Sequence, residues 1–109
     1  MKNAQSVQAA VFRAIADPTR RAILERLAAR EATVTELKAG FSVSQPAISQ
    51  HLAALRKAGL VIERRMGRNA FYRATPEGLA PLVHWITHYH AFWSDRLPRL
   101  HALLKEMDP

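Results

Sequence analysis

Basic side chains are concentrated in one stretch of the sequence, residues 56–73. The stretch holds six basic residues and one acidic residue, Glu63, so it carries +5 of the chain's formal net charge of +7. The basic residues are Arg56, Lys57, Arg64, Arg65, Arg68 and Arg73. Protection of an exposed strand edge needs charges, but it does not need them nearly all of one sign. The excess of one sign favours a surface that binds phosphate groups.

A second set of polar side chains lies at the start of a helix predicted just before this stretch. With Ile48, Leu52 and Leu55 turned inward, the helical period leaves a polar set at the N-terminal tip and on the outward face. The set is Ser44, Gln45, Pro46, Ser49, Gln50 and Lys57. Glutamine bonds adenine bidentately, and serine bonds several base edges. The set therefore predicts contacts with bases, although Ser44 alone is also explained as a helix cap.

Four helices are predicted to position these side chains. With their caps included, their bounds are about residues 4–16, 17–29, 33–40 and 44–58. Asp17, Thr33 and Ser44 are the expected N-caps, since short polar side chains accept hydrogen bonds from free backbone N–H groups. Gly40 and Gly59 are the expected ends of the third and fourth helices. Two short helices joined by a tight turn form the outline of a helix-turn-helix.

A β-hairpin and one long helix are predicted to complete the chain. The strands cover Leu60–Arg65 and Asn69–Ala74, with residues 66–68 at the tip. The hairpin adds four candidate DNA contacts, Arg64, Arg65, Arg68 and Asn69. The last helix runs over about 76–107, and Pro98 is expected to kink or restart it. The predicted fold is mainly α with a small β-hairpin wing, a winged helix-turn-helix in the order α-α-α-α-β-β-α.

Composition narrows the class of protein. A length of 109 residues with 49% hydrophobic residues fits one domain over 1–109 with a buried core. Cysteine is absent, which excludes disulfides and thiolate metal sites. No apolar run approaches the roughly 20 residues of a membrane span, and the N-terminus has no signal-peptide core. No nucleophile, phosphate-binding or zinc-enzyme motif is present. We expect a cytoplasmic binding protein without a cofactor, not an enzyme.

Three stretches together resemble the ArsR/SmtB family of dimeric winged-helix repressors. They are FRAIADPTRRAILERL at 12–27, VSQPAISQHLAALRKAGL at 43–60 and RRMGRNAFYRATPEGL at 64–79. The resemblance covers most of the chain, and its elements occur in the family's order. It implies a repressor that binds double-stranded operator DNA as a homodimer and is released by an inducing signal, here unknown. It also implies that the first and last helices form the dimer interface.

The last helix supports a dimer independently. One apolar stripe contains Ile86 and Trp93, and a second contains Trp85, Tyr89 and Phe92. A surface helix normally has a single apolar stripe, and aromatic residues are enriched in interface cores. The alternatives are a wide core-facing helix or an apolar ligand pocket. The predicted interface residues are Val7, Val11, Ile86, Tyr89 and Trp93.

The metal sites of the family do not carry over to this sequence. Its thiolate positions fall on Thr33 and Thr35, and neutral hydroxyls are poor substitutes for thiolates. The first positions of its other site fall on Pro76 and Gly78, which offer no side-chain ligand. No metal site is therefore predicted. The weak alternative is a ligand- or metal-sensing regulator that uses a non-standard histidine site in the last helix, with His84 and His88 at i, i+4 spacing.

Overall fold

The structure, a computed structural model, describes residues 4–107; the side chains of Ala4, Ala91 and Trp93 lie outside the description. The helices are α1 (Ala4–Ala16), α2 (Pro18–Ala29), α3 (Val34–Ala39), α4 (Gln45–Lys57), a 3₁₀ helix (Pro76–Leu79), α5 (Ala80–His88) and α6 (His90–Met107). Between α4 and the 3₁₀ helix, strands β1 (Val61–Met66) and β2 (Asn69–Ala74) form an antiparallel hairpin. The predicted fold class and element order are confirmed up to the last helix.

The three predicted N-caps are present. The side chains of Asp17 and Ser44 each accept a hydrogen bond from the backbone N–H three residues further on, at 2.9 and 3.2 Å. Thr33 and Glu36 form the complete capping box, with each side chain bonded to the other's backbone N–H. The backbone donors hold the pKa of the Asp17 and Glu36 carboxyls below their ordinary values. These caps fix where α2, α3 and α4 begin.

The core lies between α1, α2, the α3–α4 pair and the base of the hairpin. Its fully buried side chains are apolar: Val11, Ala14, Ile23, Leu27, Ala32, Leu37, Ile48, Leu52, Leu55, Leu60 and Val61. The three inward positions predicted for α4 are among them, so its outward face is known. Burying a side chain of the size of leucine contributes about 1.5–3 kcal/mol. Three such side chains anchor α4 to the body.

A close backbone contact fixes the end of α4 against the 3₁₀ helix. Gly59 has φ 79°, as predicted for a left-handed helix end, and Leu60 N–H donates to the carbonyl of Leu55 at 2.9 Å. A Cβ atom added to Gly78 would lie 2.2 Å from the Gly59 carbonyl oxygen. Only glycine at position 78 allows the two segments to approach this closely.

The last helix is divided, which corrects two details of the prediction. Residues 76–79 form a 3₁₀ helix, and the next interruption lies at Tyr89. Because α6 continues through Pro98, the helix does not restart there, and a kink at Pro98 stays a prediction. Tyr89 N–H donates to the carbonyl of Ile86, three residues back, at 3.1 Å. Such a bond tightens the last turn of a helix and ends it. The C-terminal segment is therefore two consecutive helices.

Candidate nucleic-acid interface

The outward face of α4 presents polar side chains to solvent. Gln45, Pro46, Ser49 and Gln50 are all exposed, and the three polar side chains among them form no hydrogen bond within the described chain. Ser44 is exposed too, but its hydroxyl is occupied as the cap of α4. Unbonded amide and hydroxyl groups at the N-terminal end of a helix are available to base edges. The predicted face exists, with Ser44 in the capping role.

A polar contact that the sequence did not reveal joins α4 to the start of α2. Arg20, in the first turn of α2, donates from Nε to Nδ1 of His51 on α4 at 3.2 Å. The same Nδ1 lies 3.9 Å from Asp17 Oδ2. Both partners lie in the family-like stretches, but nothing local shows that residues 31 positions apart meet. The contact positions α4 against the start of α2.

The hairpin is attached to the body by backbone hydrogen bonds. Ala32, in the loop before α3, exchanges two of them with Tyr72 of β2, at 3.0 and 2.8 Å. The strands pair from Val61↔Ala74 to Met66↔Asn69, so the loop is Gly67 and Arg68. The predicted first strand is thus shifted by one residue and the tip is one residue shorter. Arg68 and the exposed Asn69 lie at this tip.

The basic residues of the hairpin differ in how far they are neutralised. Glu63 is paired with Arg56 at 2.8 Å and with Arg65 at 3.6 Å. Arg64 is paired with Glu31, an acid outside the basic stretch, and its guanidinium lies 5.3 Å from the centre of the Phe71 ring. The charge count along the sequence missed Glu31. Arg64 is consequently a weaker candidate for a phosphate contact than its sequence position suggested.

Three basic residues near the α4–hairpin surface remain without an acidic partner in the described chain. They are Lys57 at the end of α4, Arg68 at the tip and Arg73 on β2. All three are exposed. A polar helix face combined with unpaired cations at the helix end and on the hairpin suits a double helix, because cations neutralise phosphates while amides and hydroxyls contact bases. We call the outward face of α4 together with the hairpin tip the α4–wing surface.

Comparison with known proteins agrees with this geometry. Residues 17–63 match the family model described as "Bacterial regulatory protein, arsR family". The HTH-type transcriptional regulator Rv2034 of Mycobacterium tuberculosis is 45% identical over 86 residues, which are 79% of this chain and 78% of that protein. This chain belongs to the ArsR family. The transcriptional repressor SdpR of Bacillus subtilis is a further relative, 34% identical, with 72% of this chain and 88% of that protein covered.

Solved structures extend the agreement from the sequence to the fold. An ArsR-like transcriptional regulator from Rhodococcus sp. RHA1 has a TM-score of 0.74 and 32% identity, covering 91% of this chain and 93% of that one. A second ArsR family regulator, RHA00566, has a TM-score of 0.76 and 30% identity, covering 88% and 99%. This ArsR family member is thus a winged-helix, DNA-binding transcriptional regulator, with α3 and α4 as its helix-turn-helix.

The residues predicted for a dimer interface divide into three groups in this ArsR protein. Ile86 and Tyr89 are 49% and 44% exposed, and Val7 is half-buried. Val11 is fully buried in the core of its own chain, so it has no surface to offer a second copy and its assignment is corrected. The prediction for Trp93 lies outside the described side chains. The surface of α5 therefore carries the candidate interface.

The weak metal candidates are exposed and isolated. His84 and His88 both lie on the solvent side of α5, and the His88 ring packs edge-on against Tyr89 at 5.0 Å. Among the described residues, no three histidine, aspartate or glutamate side chains come close enough together to hold a metal ion. Nor is any described helix long and apolar enough to cross a membrane.

Proposed function

We propose that this ArsR family regulator is a repressor that binds an imperfectly palindromic operator as a homodimer. The observation that carries the proposal is the α4–wing surface, which combines unbonded Gln45, Ser49 and Gln50 on α4 with two unpaired cations, Lys57 at the end of α4 and Arg68 at the hairpin tip. The polar groups of α4 supply sequence preference, and the cations supply affinity that is independent of sequence. Asn69 extends the surface along the hairpin. Arg65 extends it too, because its pair with Glu63 is long, at 3.6 Å, and its side chain is 67% exposed.

The homodimer is proposed from apolar side chains that the described single chain leaves exposed. They lie on α5, on α6 and at Tyr89 between the two helices. They include Val83, Ile86, Tyr89, Phe92, Leu97, Leu100, Leu103, Leu104 and Met107, each between 44% and 70% exposed. Exposed apolar side chains in such number, concentrated in one segment of the chain, are typical of an interaction site. Phe12 of α1 packs edge-on against Trp85 of α5 at 5.6 Å, so α1 and α5 form one joint surface. Two-fold symmetry of a dimer matches the symmetry of a palindrome.

We propose that the chain binds operator DNA in the cytoplasm and catalyses no reaction. Its family is one of transcriptional regulators, and the α4–wing surface is built from cations, amides and hydroxyls on a convex helix and a hairpin tip. Such groups bind a duplex without any bond being made or broken. The proposed function needs no cofactor.

Sedimentation combined with DNA titration tests the proposal. We expect the wild type to be a dimer at micromolar concentration and to bind a palindromic duplex as one dimer. Ile86→Asp places a charge in the proposed interface, so it should yield monomers and lose at least tenfold in affinity for the palindrome. Thr35→Asp, which adds the same charge at an exposed position on α3, should remain dimeric. A monomeric wild type that binds a palindrome no better than a half-site would contradict the proposal.

A further inference from the structure

A cationic groove lies between α1, the start of α2 and the C-terminal end of α4, and it shares Lys57 with the α4–wing surface. Residues of α1, one residue of α2 and the C-terminal end of α4 line the groove, and its volume is about 270 Å³. Its lining residues are Ala10, Arg13, Ala14, Arg20, Ala54, Lys57 and Ala58. Four alanines leave the space open, and the other three side chains are all basic. We call this feature the α1–α4 groove.

The cations of the groove form no close ion pair within the described chain, although the Asp17 carboxylate lies near enough to Arg20 to attract its charge. Neither Arg13 nor Lys57 forms an ion pair or side-chain hydrogen bond there. Arg20 uses its Nε for His51, and its two terminal nitrogens make no hydrogen bond in the described chain. The groove is lined by the unpaired charges of Arg13 and Lys57 and by the charge of Arg20, which Asp17 partly compensates. These positive groups repel each other, and an anion among them would lower that repulsion. Guanidinium groups suit oxyanions in particular, because two N–H groups bond two oxygens at once.

We propose that the α1–α4 groove binds a phosphate group. A multiply charged oxyanion matches three cations better than a single carboxylate does. The groove is slightly smaller than the roughly 300–1,000 Å³ typical of pockets for larger organic ligands. It therefore has room for a phosphate group together with part of the molecule that carries it. The group comes either from the operator backbone or from a free phosphate or phosphate ester.

The groove is physically connected to α4. Arg20 lines the groove and also donates to His51, which lies on α4 between Gln50 and the buried Leu52. An anion bound by the terminal nitrogens of Arg20 would hold that guanidinium in the place where its Nε meets His51. Occupancy of the groove is thereby linked to the placement of α4. This link rests on the proposed function only where DNA affinity is concerned.

The variant Arg13→Gln tests the groove without changing the α4–wing surface. Arg13 is exposed, has no partner and lies on α1, so its replacement removes one groove cation without touching the contacts proposed for DNA. Arg99→Gln on α6 is the matched control, since it makes the same charge change at an exposed position outside the groove. Thermal melts of both variants should match the wild type.

The first measurement uses the full chain without DNA. Inorganic phosphate is titrated at constant ionic strength while ¹⁵N NMR follows the Arg20 Nε–H and the backbone amides of Ala10 and Ala54. Binding of free phosphate predicts saturable shifts at these groups, weakened at least fivefold by Arg13→Gln and unchanged by Arg99→Gln. Because no DNA is present, this result does not depend on the proposed function.

The second measurement is the salt dependence of DNA affinity. If the phosphate belongs to the DNA backbone, Arg13→Gln lowers the slope of log affinity against log salt by about 0.9 per contact, or about 1.8 for a dimer. Arg99→Gln leaves the slope unchanged. If free phosphate binds saturably and the slope of Arg13→Gln equals that of the wild type, the groove binds a free phosphate or phosphate ester. If the slope of Arg13→Gln is lowered, the groove binds the operator backbone. The absence of both effects overturns the proposal, and where the protein binds no DNA, the phosphate titration alone decides.

Discussion

The ion pairs of the hairpin lead to different expectations for two neighbouring arginines. Arg68 lies at the tip without an acidic partner in the described chain, whereas Arg64 is held by Glu31. Each phosphate contact contributes about 0.9 to the slope of log affinity against log salt. A dimer carries two copies of Arg68, so Arg68→Ala should lower the slope by about 1.8. When salt is raised from 50 to 200 mM, the affinity of both proteins falls, and the factor by which it falls should be roughly twelvefold smaller for the variant than for the wild type.

Arg64→Ala should behave differently, since the Arg64 charge is already compensated. We expect a slope change well under half of that for Arg68→Ala. Arg64 and Glu31 expose 42% and 36% of their side chains, and exposed pairs contribute about 0–1 kcal/mol, so the loss of stability should be small. Glu31→Gln should have the opposite effect on binding, because it frees Arg64 and steepens the salt dependence.

Fluorescence anisotropy at four salt concentrations measures these slopes, on both operator and random duplexes. Because phosphates are the same in every sequence, Arg68→Ala should weaken binding to the two duplexes alike. Arg99→Ala on α6 is the control for a general loss of charge. The reasoning would be refuted if Arg64→Ala lowered the slope as much as Arg68→Ala, since the Glu31 pair would then have no effect on phosphate binding.

Four further predictions concern the α4 face, the fold and the tail. Gln50→Ala should cost about 1–3 kcal/mol on the operator and little on random DNA, as measured by competition binding. Gly78→Ala should destabilise the protein by about 1–3 kcal/mol in urea unfolding, whereas Gly40→Ala, whose Cβ would meet only an ordinary contact at 3.7 Å, should not. The lowered Glu36 pKa adds stability that is fully present above the ordinary pKa of 4.5 and is lost as pH falls through the lowered value, so acid titration should destabilise the wild type more than Glu36→Gln. Zn²⁺ or Ni²⁺ should change operator affinity by less than tenfold, and a larger loss abolished by alanine at the histidines of α5 would contradict this.

Features of the structure that depend on neighbours in sequence were predicted well. Caps at Asp17, Thr33 and Ser44 connect residues three positions apart, so the side chain and the N–H that it bonds are visible in one short segment. The inward face of α4 follows from the helical period in the same way. The fold and the polar face of α4 could therefore be predicted from the sequence.

Contacts between distant segments could not be predicted in this way. The Arg20–His51 bond, the Ala32–Tyr72 bridge and the Glu31–Arg64 pair each depend on how whole elements pack. Their effect on the site is substantial, because one pair neutralises a cation that sequence alone counted as free. Val11 shows the same limit, since a periodic apolar position on α1 does not reveal whether it faces its own core or a second copy.

Selection of bound sequences from a random pool of duplexes tests the central claim most directly. The wild-type protein is incubated with the pool at moderate salt, and bound duplexes are amplified and sequenced over several rounds. The account predicts enrichment of an imperfect palindrome whose half-sites lie about one helical turn, ~34 Å, apart. The enrichment should disappear when Gln45, Ser49 and Gln50 are all replaced by alanine, although random DNA is still bound. A wild type that retains DNA without enriching any sequence, or that enriches a single unrepeated site, would contradict recognition by two α4 helices of a symmetric dimer.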